Sequence, residues 1–231
     1  MSDDATPGPL LGSGRAADVY DIGAGRVLRR NRGGESTEHE AMVMRHVHAH
    51  GYPVPEIFDA EDGDLVMERV AGPTMLDAFG SRPWGMRAWA ATLADLHRRL
   101  EVVPLPDFTI PARTGAAEAI VHGDLHPDNV ILTNDGPVVI DWPNSMVGPR
   151  GADAANTWVT VASADVEGGF VTRLLGTVGR GYFLRRFLAG CDEESVRSQL
   201  VNAADHKLLD RNLRPNEAET IRALVRKEAK P

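Results

Sequence analysis

The chain has 231 residues, 42% hydrophobic and 25% charged, and its 33 acidic against 25 basic side chains leave a formal charge of −8. Such a composition buries a core, excludes a disordered chain and an apolar membrane span, and argues against the phosphate-neutralising surface of a nucleic-acid binder. The single cysteine, Cys191, forms no internal disulfide and the acidic start Met1 to Thr6 does not read as a signal peptide, so a reducing cytoplasm is the expected location.

Taken in chain order, Leu11-Gly12-Ser13-Gly14 reads as a glycine-bearing loop. It leads into a hairpin formed by Val19 to Ile22, a Gly23-Ala24-Gly25 turn, and Arg26 to Arg29. Ser36-Thr37 then opens a helix in which Val43, Met44 and Val47 recur at helical spacing, and Gly51, Pro53 and Pro55 end it. Leu65-Val66-Met67 has the character of a buried strand. Gly72-Pro73 just beyond marks a boundary, which divides the chain into residues 1–70 and 71–231 across a linker near Met67 to Pro73. Trp89, Leu93, Leu96 and Leu100 place one face of a helix from about Pro83 to Leu100 in a core. Val171 to Leu188, Ser195 to Leu209 and Glu217 to Lys227 read as further helices. Strands early and helices late predict an α+β fold with a β-rich N-terminal lobe and a helical C-terminal lobe.

The chemistry-bearing segment is Val121-His122-Gly123-Asp124-Leu125-His126-Pro127-Asp128-Asn129, followed by Val130-Ile131-Leu132, an Asn134-Asp135-Gly136 turn and Val138 to Asp141. As an antiparallel hairpin it brings Asn129 and Asp141 to one end, on strands about 5 Å apart. One cation can touch both. A carboxylate and an amide oxygen suit Mg²⁺, which takes hard oxygen ligands at about 2.1 Å. Asp124, in the glycine-containing loop before Asn129, projects toward the same end and is placed to accept a proton from an attacking hydroxyl.

His-Gly-Asp, then His-x-x-Asn, then Ile-Asp-Trp twelve residues after Asn129 resembles the aminoglycoside phosphotransferase family of the protein-kinase-like fold. The resemblance implies Asp124 as catalytic base, Asn129 and Asp141 as Mg²⁺ ligands, and His122 and His126 as loop organisers. It extends forward: Gly12, Ser13 and Gly14 resemble the loop over the phosphates, Arg29 sits on the strand of the phosphate-binding cation, and Glu40 opens the helix whose glutamate pairs with it. ATP, with GTP as an alternative, then lies between the lobes with adenine against Met67, Glu68 and Val70. The acceptor is a hydroxyl of a small molecule.

Two departures stand out. The only lysines are Lys207, Lys227 and Lys230, so an arginine replaces the usual strand lysine; Arg29 is the first choice and Arg30 the fallback. About twenty residues separate Leu100 from Val121, where many members of the family insert helices that wall the acceptor site. These departures motivate the other reading, a nucleotide-binding regulatory module without transfer activity. A protein-kinase reading lacks room between Asp141 and Asp153 for a long activation segment.

Blander roles compete at several positions. Thr37-x-x-Glu40 fits a helix capping box, although Glu40 shares a face with the apolar Met44 and Val47 and needs a partner such as Arg29. His46, His48 and His50 diverge on a helix and read as C-terminal dipole partners rather than a metal site. Asp153 reads as a brace for the catalytic segment, Trp142 as packing beside it, and Asp192-Glu193-Glu194 as the charged opening of a helix.

Overall fold

The computed structural model describes residues 8–14, 16–113, 115–164, 170–210 and 213–228. The front of the molecule is one antiparallel sheet of β1 (Leu10–Ser13), β2 (Ala17–Gly23), β3 (Arg26–Asn31), β4 (Ile57–Glu61) and β5 (Asp64–Glu68), in the order β1-β2-β3-β5-β4. The β2–β3 turn uses left-handed backbone at Gly23, Ala24 and Gly25, as the glycines there demanded. Helix α1 (Glu38–Ala49) interrupts the sheet and buries Glu40, Ala41, Val43, Met44 and Val47, a single helical stripe.

Behind the sheet come α2 (Met75–Ser81), α3 (Met86–Glu101), the ribbon strands β6 (Ala119–Val121) and β9 (Met146–Gly148), and the hairpin β7 (Val130–Thr133) with β8 (Gly136–Val139). Helices α4 (Ala152–Ser163), α5 (Phe170–Leu188), α6 (Glu193–Leu208) and α7 (Pro215–Glu228) complete the chain. The expected segregation of strands and helices is therefore present. No helix among the described residues is long and apolar enough to cross a membrane.

Several boundaries differ from the sequence reading. The helix expected from Pro83 begins as a 3₁₀ turn, Pro83–Gly85, and becomes α-helical only at Met86, because proline suits a first turn but donates no N–H to it. Helix α2 was not anticipated; Thr74 and Asp77 cap it reciprocally. Nor was α4. Eight consecutive residues of α4, Ala152 to Val159, are buried, and its polar Asp153, Asn156 and Thr157 are among them, so polarity marks no solvent face from which to read a period.

The connection between front and rear is stitched by hydrogen bonds. Leu132 N–H donates to the Pro73 carbonyl at 2.9 Å and Val139 N–H to the Pro53 carbonyl at 2.8 Å. Gly72, with φ near +156°, passes so close to β7 that a Cβ would lie 2.3 Å from the Leu132 carbonyl oxygen. Only glycine fits there.

Candidate active site

Arg29, on the inward face of β3, is held where α1 begins. Its Nη1 donates to Glu40 Oε2 at 2.5 Å, and its Nη2 reaches Asp141 Oδ1 at 3.5 Å. Arg29 and Glu40 are 9% and 4% exposed, so this is a buried pair. Burial pushes the Glu40 carboxyl up, while Arg29 pulls it back. The other Glu40 oxygen, Oε1, accepts the Trp142 backbone N–H at 3.1 Å. Glu40 therefore makes the ion pair and not the capping box: Thr37 turns its hydroxyl to the carbonyls of Asp62 and Asp64 and makes no side-chain cap. Arg30, the fallback, faces the other way and pairs with Asp64 at 2.6 and 2.8 Å. Alternation along a strand separates the two arginines.

Asp141 follows β8 with φ +67°, a left-handed conformation that aspartate tolerates better than most residues. Burial raises its carboxyl, Arg29 lowers it and Asp124 raises it again. Opposite stands the loop after β6. Gly123 has φ +87°, and a Cβ there would lie 2.5 Å from the Asn144 carbonyl oxygen, which accounts for the glycine before Asp124. Asn129 Nδ2 donates to the Asp124 carbonyl at 2.9 Å, which orients the amide and leaves Oδ1 as its acceptor atom.

The two histidines divide the organising work. His122 Nε2 donates to the Ile140 carbonyl at 3.0 Å, so Nδ1 is free to accept the Asp124 N–H at 3.2 Å. Burial pushes its imidazole down to about 4 and keeps it neutral. His126 Nδ1 accepts the Asp128 N–H at 3.3 Å, which leaves the proton on Nε2, 3.5 Å from Asp124 Oδ2. Burial would raise the Asp124 carboxyl, but His126 and the more distant charge of Lys207 hold it below its usual value.

Helix α4 clamps this loop through one face. Asp153 accepts the His122 and Gly123 N–H groups at 2.8 and 3.0 Å, and burial raises its carboxyl to about 7 against those donors. Asn156 Nδ2 reaches the Gly123 carbonyl at 3.5 Å. The Thr157 hydroxyl sits between the Leu125 carbonyl, to which it donates, and His97 Nε2 at 3.1 Å. Positions i, i+3 and i+4 of the helix thus hold His122, Gly123 and Leu125, on either side of Asp124. Sequence reasoning found Asp153 but missed Asn156 and Thr157, because nothing in the primary pattern announced α4, and missed His97, which lies buried on the predicted α3.

Asp124, Asn129, Asp141, Arg29 and Glu40 come together as expected. Gly12 is linked to them through the sheet: it pairs with Val19, which pairs with Arg29, in one row across three strands. Ser13 Oγ bonds Asp18 at 2.7 Å and also receives Arg32. Gly14 N–H closes the turn onto the Ala17 carbonyl. Met67 and Glu68 end β5, and the partly buried Val70 follows in the linker. His46 and His50 bond the carbonyls of Pro104 and His46, not a shared ligand, and Asp192 caps α6. The donors Asn129 Oδ1 and the Asp141 carboxylate are hard oxygens, and three carboxylates, Glu40, Asp124 and Asp141, outnumber the one guanidinium among them. That set fits a divalent cation such as Mg²⁺.

Residues 8–120 and 109–191 match the phosphotransferase enzyme family known as APH. A relative from Archaeoglobus fulgidus, described as a probable serine/threonine-protein kinase BUD32 homolog, is 28% identical over 160 residues, covering 62% of this chain and 68% of that protein. Among solved structures, a thermostable mutant of aminoglycoside phosphotransferase APH(4)-Ia, in ternary complex with AMP-PNP and hygromycin B, superposes with a TM-score of 0.67. It is 17% identical and covers 96% of this chain and 94% of that one. A choline/ethanolamine kinase family protein from Mesorhizobium loti has a TM-score of 0.61 at 16% identity, covering 99% and 90% of the two chains.

Proposed function

The chain belongs to the phosphotransferase enzyme family, and we propose that it moves the γ-phosphoryl group of ATP to a hydroxyl of a small molecule, an aminoglycoside-like antibiotic or a hydroxylated metabolite. The observation that carries this reading is the facing arrangement of two acids. Asp124 is held below its usual pKa with His126 Nε2 3.5 Å from its carboxylate, while Asp141 reaches Arg29 of the Arg29–Glu40 pair and its neighbour Ile140 bonds the Asn129 carbonyl.

The nucleotide lies between residues 1–70 and 71–231, adenine against Met67, Glu68 and Val70, phosphates under Gly12, Ser13 and Gly14. Arg29, fixed by Glu40, turns a fork of donors to the phosphate oxygens in place of a lysine's point charge. Asn129 and Asp141 would hold Mg²⁺, which neutralises charge on the β- and γ-phosphates. Asp124 accepts the proton of the acceptor hydroxyl, whose oxygen bonds to the γ-phosphorus as the bond to the β–γ bridging oxygen breaks and ADP leaves. Positioning and charge compensation supply the rate.

Eleven residues separate Asp141 from Asp153, and β9 takes three of them into the ribbon with β6, which supports a small acceptor over a docked peptide. A cytoplasmic setting, where ATP is supplied, fits the lone thiol of Cys191. Single-turnover analysis with γ-labelled ATP across a panel of hydroxylated metabolites and antibiotics tests the proposal. A labelled acceptor is the expected result. Nucleotide binding with no labelled product from any acceptor would instead mark a regulatory module.

A further inference from the structure

The segment Pro111 to Arg113 runs between the β6–β9 ribbon and α6. That segment adds a third strand to the β6–β9 ribbon: Val147 N–H donates to the Pro111 carbonyl and Arg113 N–H to the Val147 carbonyl, both at 2.8 Å. Arg113 then leans onto α6, where its Nη2 reaches the Asn202 carbonyl at 3.4 Å. The side chain is half-buried; among the described residues its enclosed Nη1 has no hydrogen-bond acceptor and no carboxylate lies within ion-pair distance of the guanidinium. Enclosed cations are ordinarily paired, because losing water without a counter-charge is costly.

Asn202 also lines a cavity of about 410 Å³ with Ser195, Ser198 and Gln199 of α6, opposite Glu118 and Arg150. One and a half turns further along α6 stand His206 and Lys207. Lys207 Nζ lies 3.3 Å from Asp210 Oδ2. Its charge also reaches Asp124, and together with Arg113 it reinforces burial in holding the His206 imidazole down. Arg113, His206 and Lys207 therefore share one neighbourhood, with the catalytic loop at its end.

We infer that the acceptor carries an anionic group, a carboxylate or a phosphate ester, which Arg113 and Lys207 hold while the hydroxyl meets Asp124. The incoming anion gives the guanidinium a contact partner nearer than Asp153, the one carboxylate whose charge reaches it among the described residues. The inference rests on the phosphotransferase reading for the identity of the reacting hydroxyl. It favours anionic metabolites over polycationic antibiotics, although the chain as a whole is acidic.

Four three-carbon probes test it on the full chain: glycerate, glycerol 3-phosphate, glycerol and 3-amino-1,2-propanediol. Binding is measured by calorimetry in the presence of Mg²⁺ and ADP, and phosphorylated product by mass spectrometry with Mg²⁺ and ATP. At least one anionic probe should bind tenfold or more tightly than glycerol and the amine, its identity separating carboxylate from phosphate. Arg113→Gln and Lys207→Gln should each abolish that margin. Should Arg113→Gln fail to fold, Lys207→Glu, on the helix surface, should reverse the preference toward the amine. Equal binding of the four probes, or a preference that survives these substitutions, overturns the inference. Selective anion binding without product from any probe leaves the inference standing and counts against phosphoryl transfer instead.

Discussion

The two sides of the site are held by different forces. On the front side, Arg29, Glu40 and Asp141 are tied by charge, with a buried ion pair at 2.5 Å and a longer contact at 3.5 Å. On the rear side, the loop from His122 to Asn129 is tied by hydrogen bonds to backbone groups, from Asp153, Asn156 and Thr157 of α4 and from its own side chains. Charges respond to an arriving polyanion and its metal. Backbone hydrogen bonds do not. The front is therefore built to be rebalanced by a polyanion, and the rear to keep Asp124 where it is.

The largest effect should come from the rear. Asp124→Ala is expected to lower turnover about a thousandfold while leaving ADP affinity nearly unchanged, which rapid-quench kinetics and calorimetry would establish. A variant that lost nucleotide binding equally would merge the two sides into one. On the front, Arg29→Met strands the buried Glu40 and should cost about 3 kcal/mol in denaturant unfolding. Arg29→Lys should recover part of that stability. Thr157→Val removes the hydroxyl that bridges the Leu125 carbonyl and His97. Its expected cost is about 2 kcal/mol, with a fall in kcat and little change in the KM for ATP, and Thr157→Ser should restore both.

The smallest effect concerns pH. Burial depresses His97 to about 3 and His122 to about 4, so their contribution is complete above the unfolded value of 6.5 and is lost as pH falls toward those folded values. Asp153, raised to about 7 from 3.8, contributes in the opposite sense over the same window. His206, also held down, adds to the histidines' side, and Glu40 and Asp141, both raised by burial, add to the aspartate's, so the contributions largely offset and the share of one histidine is read by difference. In thermal melts, acidification from about pH 7 to about pH 5 should cost the parent chain more stability than it costs His97→Gln, and equal slopes would remove His97 from the account.

How far these two sides could be read from the primary structure differed for physical reasons. The front yielded to local pattern. A glycine turn, a strand and an apolar stripe around Glu40 are short-range features, and the absence of lysine before Lys207 narrowed the phosphate cation to Arg29 or Arg30. Alternation on β3, visible only in the fold, turns Arg29 toward Glu40 and Asp141 and Arg30 toward Asp64. The motif from His122 to Asp141 likewise lies within one hairpin. What holds that motif was not legible: α4 is buried nearly all round with its polar Asp153, Asn156 and Thr157 turned inward, so its period is hidden, and the three-residue strands β6 and β9 pair across a long separation. Arg113 and Lys207 were equally silent, since only the packing of α6 brings them toward the same loop.

Glu40 gives one oxygen to a front-sheet arginine and the other to the peptide nitrogen of Trp142, immediately after Asp141. A single carboxylate is thereby the hinge pin of the cleft. Swinging α1 outward would slacken the guanidinium and release the turn that carries Asp141 in the same movement. Half-assembled states, with one of these elements in place and the other adrift, are disfavoured, and nucleotide should meet a cleft that is either whole or unlatched.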